Sequence, residues 1–105
     1  MITDEQAEKA LDFIRDNAEK AAQARANRIY LDEYRKSLKA ILYQKSPSGT
    51  VSERESFAYA HPDYLGHLEA IKKSVENDET LRWMMVAAEA KLEAWRTQSA
   101  NNRRM

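Results

Sequence analysis

Histidine is a side chain that commonly binds transition metals, and this chain has two histidines and no cysteine. His61 and His67 are six residues apart, and Pro62 lies between them. Histidines that bind one metal from the same helix face are usually three or four residues apart. Asp63 and Glu69 lie nearby, but no H-E-x-x-H pattern occurs. The spacing therefore favours surface or capping histidines, and we expect no metal and no cofactor.

The other residue patterns contain no catalytic signature. The chain has no G-x-S-x-G motif, and its two glycines are too few for a P-loop or a G-x-G-x-x-G motif. Paired carboxylates that hydrolyse a substrate need a pocket, and a pair of helices offers no obvious one. The serines near the predicted loop suit local hydrogen bonding; they are Ser46, Ser48, Ser52 and Ser56. We therefore expect a protein that is not an enzyme.

Basic side chains interleaved with aromatic residues are the best candidates for binding chemistry. A first cluster consists of Arg28, Arg35, Lys36, Lys39 and Lys45, with Arg54 near the loop and Tyr30, Tyr34 and Tyr43 interspersed. A second cluster consists of Arg82, Trp83, Lys91, Trp95, Arg96, Arg103 and Arg104. Basic side chains attract phosphates, and aromatic faces stack on unpaired bases. The first cluster therefore favours single-stranded nucleic acid as a ligand.

The charges also support a competing interpretation, because they alternate in sign along the chain. The net charges are −4, +5, −4 and +3 in residues 1–19, 20–45, 46–80 and 81–105. A chain that folds once near residue 48 places each block beside a block of opposite sign, which is typical of an antiparallel helical hairpin. The bases of the first cluster would then pair with acids across the hairpin and fix its register. Those acids are Glu53, Glu55, Glu69, Glu76, Asp78 and Glu79.

Capping signals and breakers predict the elements that position these residues. Thr3 and Gln6 form a T-x-x-Q capping box, and no Gly or Pro follows before Pro47, so we predict a helix over 4–44. At 1.5 Å per residue this helix is roughly 60 Å long. A loop over 45–52 contains the Ser46-Pro47-Ser48-Gly49 stretch.

The second half of the chain predicts two more helices. Ser52 and Glu55 form an S-x-x-E capping box for a short helix over 53–60. Pro62 interrupts it, and can serve as the first residue of a long helix over 62–100. Residues 101–105 form a frayed tail in this prediction. The expected fold is all-α, a single domain built as a long antiparallel helical hairpin with a short helix or kink at the loop.

Apolar spacing predicts which side chains these helices bury. In the first helix Ala7, Leu11, Ile14, Ala18 and Ala21 keep a 4-3-4-3 spacing. The residues expected to form core or oligomer contacts are Leu31, Tyr34, Leu38, Ile41, Leu68, Ile71, Val75, Leu81, Met85, Leu92 and Trp95. Two long helices each bury only a stripe, so we expect copies of the chain to assemble as a homo-oligomer.

The order of the predicted elements is itself informative. A long basic helix is followed by a loop, a short acid-bearing segment and a closing helix with a tryptophan and an Ala-rich end. The residues that carry this layout are Tyr30-Leu31-Asp32-Glu33-Tyr34-Arg35-Lys36-Ser37-Leu38-Lys39-Ala40, Ser52-Glu53-Arg54-Glu55, Ala58-Tyr59-Ala60 before His61-Pro62-Asp63-Tyr64, Leu81-Arg82-Trp83, and Glu93-Ala94-Trp95-Arg96 with Ser99-Ala100-Asn101. Over residues 25–100 the layout resembles phage recombination mediators of the UvsY type.

The resemblance implies a function that the residues alone do not. It implies a homo-oligomer, in the form of a ring, that binds single-stranded DNA and helps load a recombinase or annealing protein past single-strand-binding protein. The DNA-facing residues would be Arg28, Arg35, Lys36, Lys39, Lys45 and Arg54. Residues 1–24 have no clear role in that scheme. The alternative is a non-enzymatic phage interaction module, an inhibitor or adaptor, that acts through this acidic N-terminal arm.

The same sequence predicts where the protein acts. No apolar run approaches the roughly 20 residues needed to span a membrane. The first residues, Met1-Ile2-Thr3-Asp4-Glu5, are acidic and lack the apolar segment of a signal peptide. We therefore expect the protein in the cytoplasm, which for a phage protein is that of the bacterial host cell, with no membrane partner.

Overall fold

The chain folds into three helices. The computed structural model describes residues 1–47 and 49–104, except for the side chain of Arg104. Helix α1 spans Asp4–Gln44, α2 spans Val51–Ala60 and α3 spans Pro62–Arg104, and no strand occurs among the described residues. The all-α prediction is confirmed. Ser48 of the predicted loop and Met105 of the predicted tail lie outside the described residues.

The start of α1 is the predicted capping box. The backbone N–H of Gln6 donates to the Thr3 hydroxyl at 3.1 Å, and the backbone N–H of Thr3 donates to Gln6 Oε1 at 2.9 Å. These two bonds satisfy donors that the first helical turn leaves without partners. Asp4 and Glu5 in the same turn suit the positive end of the helix dipole. The helix therefore begins at the predicted residue.

The start of α2 corrects the prediction. The N-cap is Thr50, whose hydroxyl accepts a hydrogen bond from the Glu53 backbone N–H at 3.2 Å, and the helix begins at Val51. The predicted cap at Ser52, with a start at residue 53, was wrong. Two overlapping patterns, T-x-x-E and S-x-x-E, occur here, and the first is used because Thr50 has the extended backbone that an N-cap needs.

The break between α2 and α3 follows from Pro62, as predicted. His61 has extended backbone angles, which the residue before a proline prefers, and it ends α2. Its Nδ1 accepts a hydrogen bond from the Asp63 backbone N–H at 3.0 Å, so it also caps α3. The prediction of a capping histidine is confirmed at this position. At the other end α3 continues to Arg104, so the frayed tail was wrong for residues 101–104.

The contacts divide the chain into two compact units. Unit 1 consists of Met1–Gln23 and Asp78–Met105, and unit 2 consists of Ala24–Asn77. Unit 1 therefore contains the first part of α1 and the last part of α3. Unit 2 contains the rest of α1, the whole of α2 and the first part of α3. In each unit the two long helices pack against each other in opposite directions.

Small residues form the contact between α1 and α3 in unit 1. Ala7, Ala10 and Ala88 are buried, and such small side chains let two helix backbones approach closely. Leu11, which we expected in the stripe, is 53% exposed. The predicted 4-3-4-3 spacing was therefore wrong at Leu11 and Ala18, which are exposed, whereas its other members are buried (Ala7) or half-buried (Ile14 and Ala21). Asn17 is half-buried in place of Ala18, and its amide is satisfied because it donates to the Phe13 carbonyl at 2.9 Å.

Hydrogen bonds attach the N-terminal residues to α3 in unit 1. The Ile2 backbone N–H donates to Gln98 Oε1 at 3.0 Å, and Gln98 Nε2 donates to the Ile2 carbonyl at 2.7 Å. The indole N–H of Trp95 donates to Asp4 Oδ1 at 2.8 Å. The acidic arm, which the sequence left without a role, is therefore one of the packed helices of unit 1.

The core of unit 2 consists of Leu42, Ala58 and Tyr64, one residue from each helix. Leu42 is the largest fully buried side chain, at 1% exposure, and Leu38 and Tyr43 pack against the cluster. The predicted stripe is only half-buried at Leu31, Leu38, Ile71, Val75, Leu81, Met85, Leu92 and Trp95.

Three residues of the predicted stripe are not core residues of the single chain. Tyr34, Ile41 and Leu68 are 38%, 43% and 40% exposed. In α1 the buried position that follows Leu38 is Leu42 rather than its neighbour Ile41, which is why Ile41 is exposed. Contacts with another molecule would bury the apolar surface that these three side chains leave exposed.

Replacing Leu42 by alanine tests the position of the core in unit 2. Leu42→Ala removes a fully buried side chain and should lower the free energy of unfolding by about 2–5 kcal/mol. The matched control Leu65→Ala changes a residue that is 50% exposed and should stay within about 0.5 kcal/mol of the wild type. Urea denaturation followed by circular dichroism measures both. Equal losses in the two variants would contradict this core.

Candidate nucleic-acid interface

A basic groove lies between α1 and α2 in unit 2. It has a volume of about 390 Å³, and its lining residues are Lys36, Lys39, Ala40, Tyr43, Gln44 and Glu55. The five residues from α1 are three or four positions apart or directly adjacent, so they share one helix face. Glu55, from α2, is the one carboxylate among these lining residues. The groove therefore has two lysines against one acid.

Lys39 is held by an aromatic ring from α2. Its Nζ lies 4.5 Å from the centroid of the Tyr59 ring, within the range of a cation–π interaction. Hydrogen bonding to the Tyr59 side chain raises the pKa of Lys39 above its ordinary value, and the nearby charge of Glu55 acts in the same direction. Lys39 therefore remains protonated throughout the neutral pH range, and its ammonium has a defined position.

Arg54 of α2 lies over an aromatic ring of α1. Its guanidinium carbon lies 5.6 Å from the centroid of the Tyr43 ring. Tyr43 lines the groove and also packs against the core of unit 2. The prediction placed Arg54 near the loop as a DNA-binding residue, and the structure puts it against a groove-lining ring. Two cations, one from each helix, are thus each fixed by a tyrosine of the opposite helix.

Arg35 connects this arrangement to the core. Hydrogen bonding with the Tyr64 side chain raises the pKa of Arg35, and the carboxylate of Asp32 raises it further. Its Nε lies 3.7 Å from Asp32 Oδ1, a distance for an ion pair rather than a hydrogen bond. The Tyr64 ring meets the ring of Tyr59 edge-on, with centroids 5.4 Å apart. Arg35 and Lys39 are therefore positioned by two tyrosines that contact each other.

The structure connects four of the six predicted DNA-binding residues. Lys36 and Lys39 line the groove, Arg54 stacks on Tyr43, and Arg35 is linked to Lys39 through Tyr64 and Tyr59. The other two predicted residues do not line the groove. Arg28 is half-buried and lies nearer the N-terminus of α1 than the groove does. Lys45 is exposed just beyond the C-terminal end of α1.

Sequence reasoning did not assign Tyr59 or Tyr64 to this site. Tyr64 was interpreted as part of an apolar stripe. Glu55 was interpreted both as part of a helix cap and as one of the acids that face the basic cluster, and Lys39 and Glu55 do attract each other. The predicted loop before α2 indicated that the chain turns back, but no local pattern specifies that Tyr59 lies beside the basic face of α1. Of the three tyrosines that were predicted to accompany the bases, only Tyr43 lines the groove.

Tyr30 and Tyr34 form a separate aromatic group. Their rings are nearly parallel, with centroids 6.1 Å apart, and Tyr34 also packs against His67 at 5.5 Å. The His67 ring nitrogen Nε2 lies 2.6 Å from the Leu31 carbonyl, which can only accept, so this nitrogen carries the proton. His67 is thus used to attach α3 to α1 in unit 2.

Many of the charges are paired with close neighbours on the same helix. Lys36 lies 3.5 Å from Glu33, Arg82 lies 3.1 Å from Glu79, and Arg96 lies 2.9 Å from Glu93. Such exposed pairs contribute little stability each. In the second basic cluster, Arg82 also stacks on Trp83 at 4.6 Å. In these local pairs the base meets an acid of its own helix rather than an acid across the hairpin. Lys39 and Glu55, in contrast, attract each other between α1 and α2.

Two expectations about other ligands can be compared with the structure. Within residues 1–47 and 49–104, no group of three or more histidine and acidic side chains is arranged to hold a metal ion. In the same part of the chain, no helix combines the length and the apolar character that crossing a bilayer requires.

Comparisons with known proteins do not assign this chain to a family. No family model matches it, and neither a curated protein nor a solved structure matches it. The resemblance to UvsY-type mediators therefore stays a prediction that rests on the residues given above. Any function must be argued from the geometry of the groove and from its charges.

Removing the Tyr59 hydroxyl tests how Lys39 is held. Tyr59→Phe keeps the ring but removes the hydrogen bond that contributes most to the raised pKa, so the pKa of Lys39 should fall towards its ordinary value. The control Tyr30→Phe removes a hydroxyl that does not contact Lys39 and should leave this pKa unchanged. Titration of the lysine side-chain NMR signals measures both. An unchanged pKa in Tyr59→Phe would show that the Tyr59 hydroxyl does not bind the Lys39 ammonium.

Proposed function

We propose that this protein binds single-stranded DNA through the α1–α2 groove of unit 2. The observation that carries the proposal is that Lys39 and Arg54 are each fixed on a tyrosine ring beside the groove. Lys36 adds an exposed cation on the same face. Cations that are held before binding lose less side-chain entropy when a phosphate arrives. Phosphate contacts of this kind supply most of the affinity of sequence-independent binding.

The Tyr59 ring supports the choice of a single strand as the proposed ligand. Tyr59 is 45% exposed, and its ring face is covered by the Lys39 ammonium in the free protein. The part of Tyr59 that remains exposed is available to a base while Lys39 keeps its position beside the ring and contacts a phosphate. Base stacking on an aromatic side chain requires an unpaired base, and a duplex keeps its bases stacked on each other. The groove therefore combines a phosphate contact and a base contact for a flexible strand.

The wider role that we propose is recombination mediation in the cytoplasm of a bacterial host cell. The protein would load a recombinase or annealing protein onto DNA that single-strand-binding protein covers, and copies of the chain would assemble as a homo-oligomer such as a ring. Support for assembly comes from large apolar side chains that the single chain leaves exposed, among them Tyr34, Ile41 and Leu68. Many weak sites on one assembly would add up to tight binding of a long strand.

A second candidate function is a non-enzymatic helical interaction module. Its support is the first part of α1, where Glu5 and Asp16 have side chains that are 78% and 68% exposed. These carboxylates form a surface on unit 1 that an inhibitor or adaptor could present to a basic partner. This candidate needs no DNA binding, so a DNA titration distinguishes it from the first.

Replacing two lysines tests the DNA site. For the wild type we expect salt-sensitive binding to fluorescently labelled oligo-dT, measured by anisotropy. Lys36→Ala with Lys39→Ala should weaken binding and reduce the slope of log K against log salt by about 1.4, because each single-strand phosphate contact contributes about 0.7. The control pair Lys72→Ala with Lys73→Ala removes two exposed lysines of α3 and should leave the slope close to that of the wild type.

Three results would contradict the proposal. Binding that is absent even at low salt would remove it and favour the interaction module. Equal losses in the two double variants would show general attraction to lysines rather than a site. Binding of duplex DNA as tight as that of oligo-dT would remove the part of the proposal that assigns a base contact to Tyr59.

A further inference from the structure

Unit 1 contains a second groove, which the proposed DNA site does not use. It lies between the first part of α1 and the last part of α3 and has a volume of about 330 Å³. Its floor includes Ala10 and Ala88, which are buried, and Ala87, which is exposed. Phe13 and Met84 form its apolar walls. Methionine adapts its shape to different partners, and alanines allow a close approach of another backbone.

The spacing of the lining residues gives the groove a direction. On α3 the lining residues Met84, Ala87, Ala88 and Lys91 stand at positions i, i+3, i+4 and i+7. This spacing follows one face of α3 for two turns, which is about 10 Å. A groove between two packed helices with this repeat matches the apolar face of a third helix, which inserts its side chains at the same spacing.

The charges beside the groove indicate what the flanks of that helix should be. Lys9 and Lys91 both line the groove, and no carboxylate is among the described residues that line it. Lys9 lies 3.4 Å from Glu5, but both side chains are largely exposed, so this pair is weak and can be exchanged for another. Residues 1–19 have net charge −4 with Lys9 included, so the lysines of the groove form a local positive patch on an acidic segment.

We propose that this groove binds an amphipathic helix of another protein, with an apolar face and acidic flanks. A second copy of the chain fits less well. Two copies related by a two-fold axis that packed groove against groove would bring Lys9 and Lys91 of one copy towards the same lysines of the other. Like charges in that position oppose association. The partner in this proposal is therefore a different protein, and the groove that binds it shares no lining residue with the DNA site on unit 2.

A charge swap tests the proposal with the full-length chain. The probe is a synthetic fluorescein-labelled helical peptide with leucines at positions i, i+3, i+4 and i+7 and glutamates beside them, and the control peptide has lysines in place of the glutamates. The wild type should bind the acidic peptide about tenfold more tightly than the basic one. Lys9→Glu with Lys91→Glu should reverse this preference. Both positions are exposed, and circular dichroism checks that the variant is folded.

Ala87→Arg separates a shaped groove from general attraction to positive charge. The added side chain fills the floor of the groove, so a groove that holds a helix should lose the acidic peptide, at least about tenfold in affinity. If only charge mattered, the added cation would instead strengthen binding. Ala87 is exposed on a helix, where arginine is well tolerated. Lys36→Ala with Lys39→Ala should leave the peptide affinity unchanged, which keeps this result distinct from the DNA titration.

Three outcomes would overturn the inference. One is equal affinity for the acidic and the basic peptide in the wild type. Another is tighter binding of the acidic peptide by Ala87→Arg. The last is no peptide binding together with a dimer, measured by analytical ultracentrifugation, that Ala87→Arg dissociates, because a second copy would then be the occupant of the groove.

Discussion

The packing of Tyr64 is the interaction on which the rest of unit 2 depends. Its ring belongs to the buried cluster with Leu42 and Ala58, so it fixes the start of α3 against α1 and α2. The same side chain is hydrogen-bonded with Arg35 and meets the ring of Tyr59 edge-on. One buried tyrosine therefore joins the hydrophobic core to the basic face. A change that loosens the core would also release the cations.

This link explains how so small a core can support a binding surface. Three residues bury the junction of the three helices, and the cations stand on rings that the junction already holds in place. Unit 1 is different, because alanines and the bonds from Ile2 and Asp4 to α3 hold its two helices together. Its groove is apolar with two lysines at its edge. The two units therefore offer different chemistry, one suited to phosphates and the other to an acidic helix.

The sequence predicted the elements better than their faces. Thr3, Gln6 and Pro62 mark helix ends by local chemistry, so the bounds of α1 and the start of α3 could be read directly. The phase of the apolar stripes could not be read in this way. The smaller Ala10 is buried in place of Leu11, and Leu42 is buried in place of its neighbour Ile41, because these side chains fit the packed helix better. The groove could be predicted in part, because the sequence shows Lys36 and Lys39 as neighbouring bases on one helix. The role of Tyr59 depends on where α2 lies, which no local pattern specifies.

The central claim is that Lys36 and Lys39 contact DNA phosphates, and a lysine protection experiment measures this most directly. The protein is treated briefly with an amine-acylating reagent, with and without saturating oligo-dT, and the extent of modification at each lysine is determined by mass spectrometry. The account predicts that DNA protects Lys36 and Lys39, while Lys72 and Lys73 are modified equally in both samples. Unchanged modification of Lys36 and Lys39 in the DNA-bound protein would contradict it.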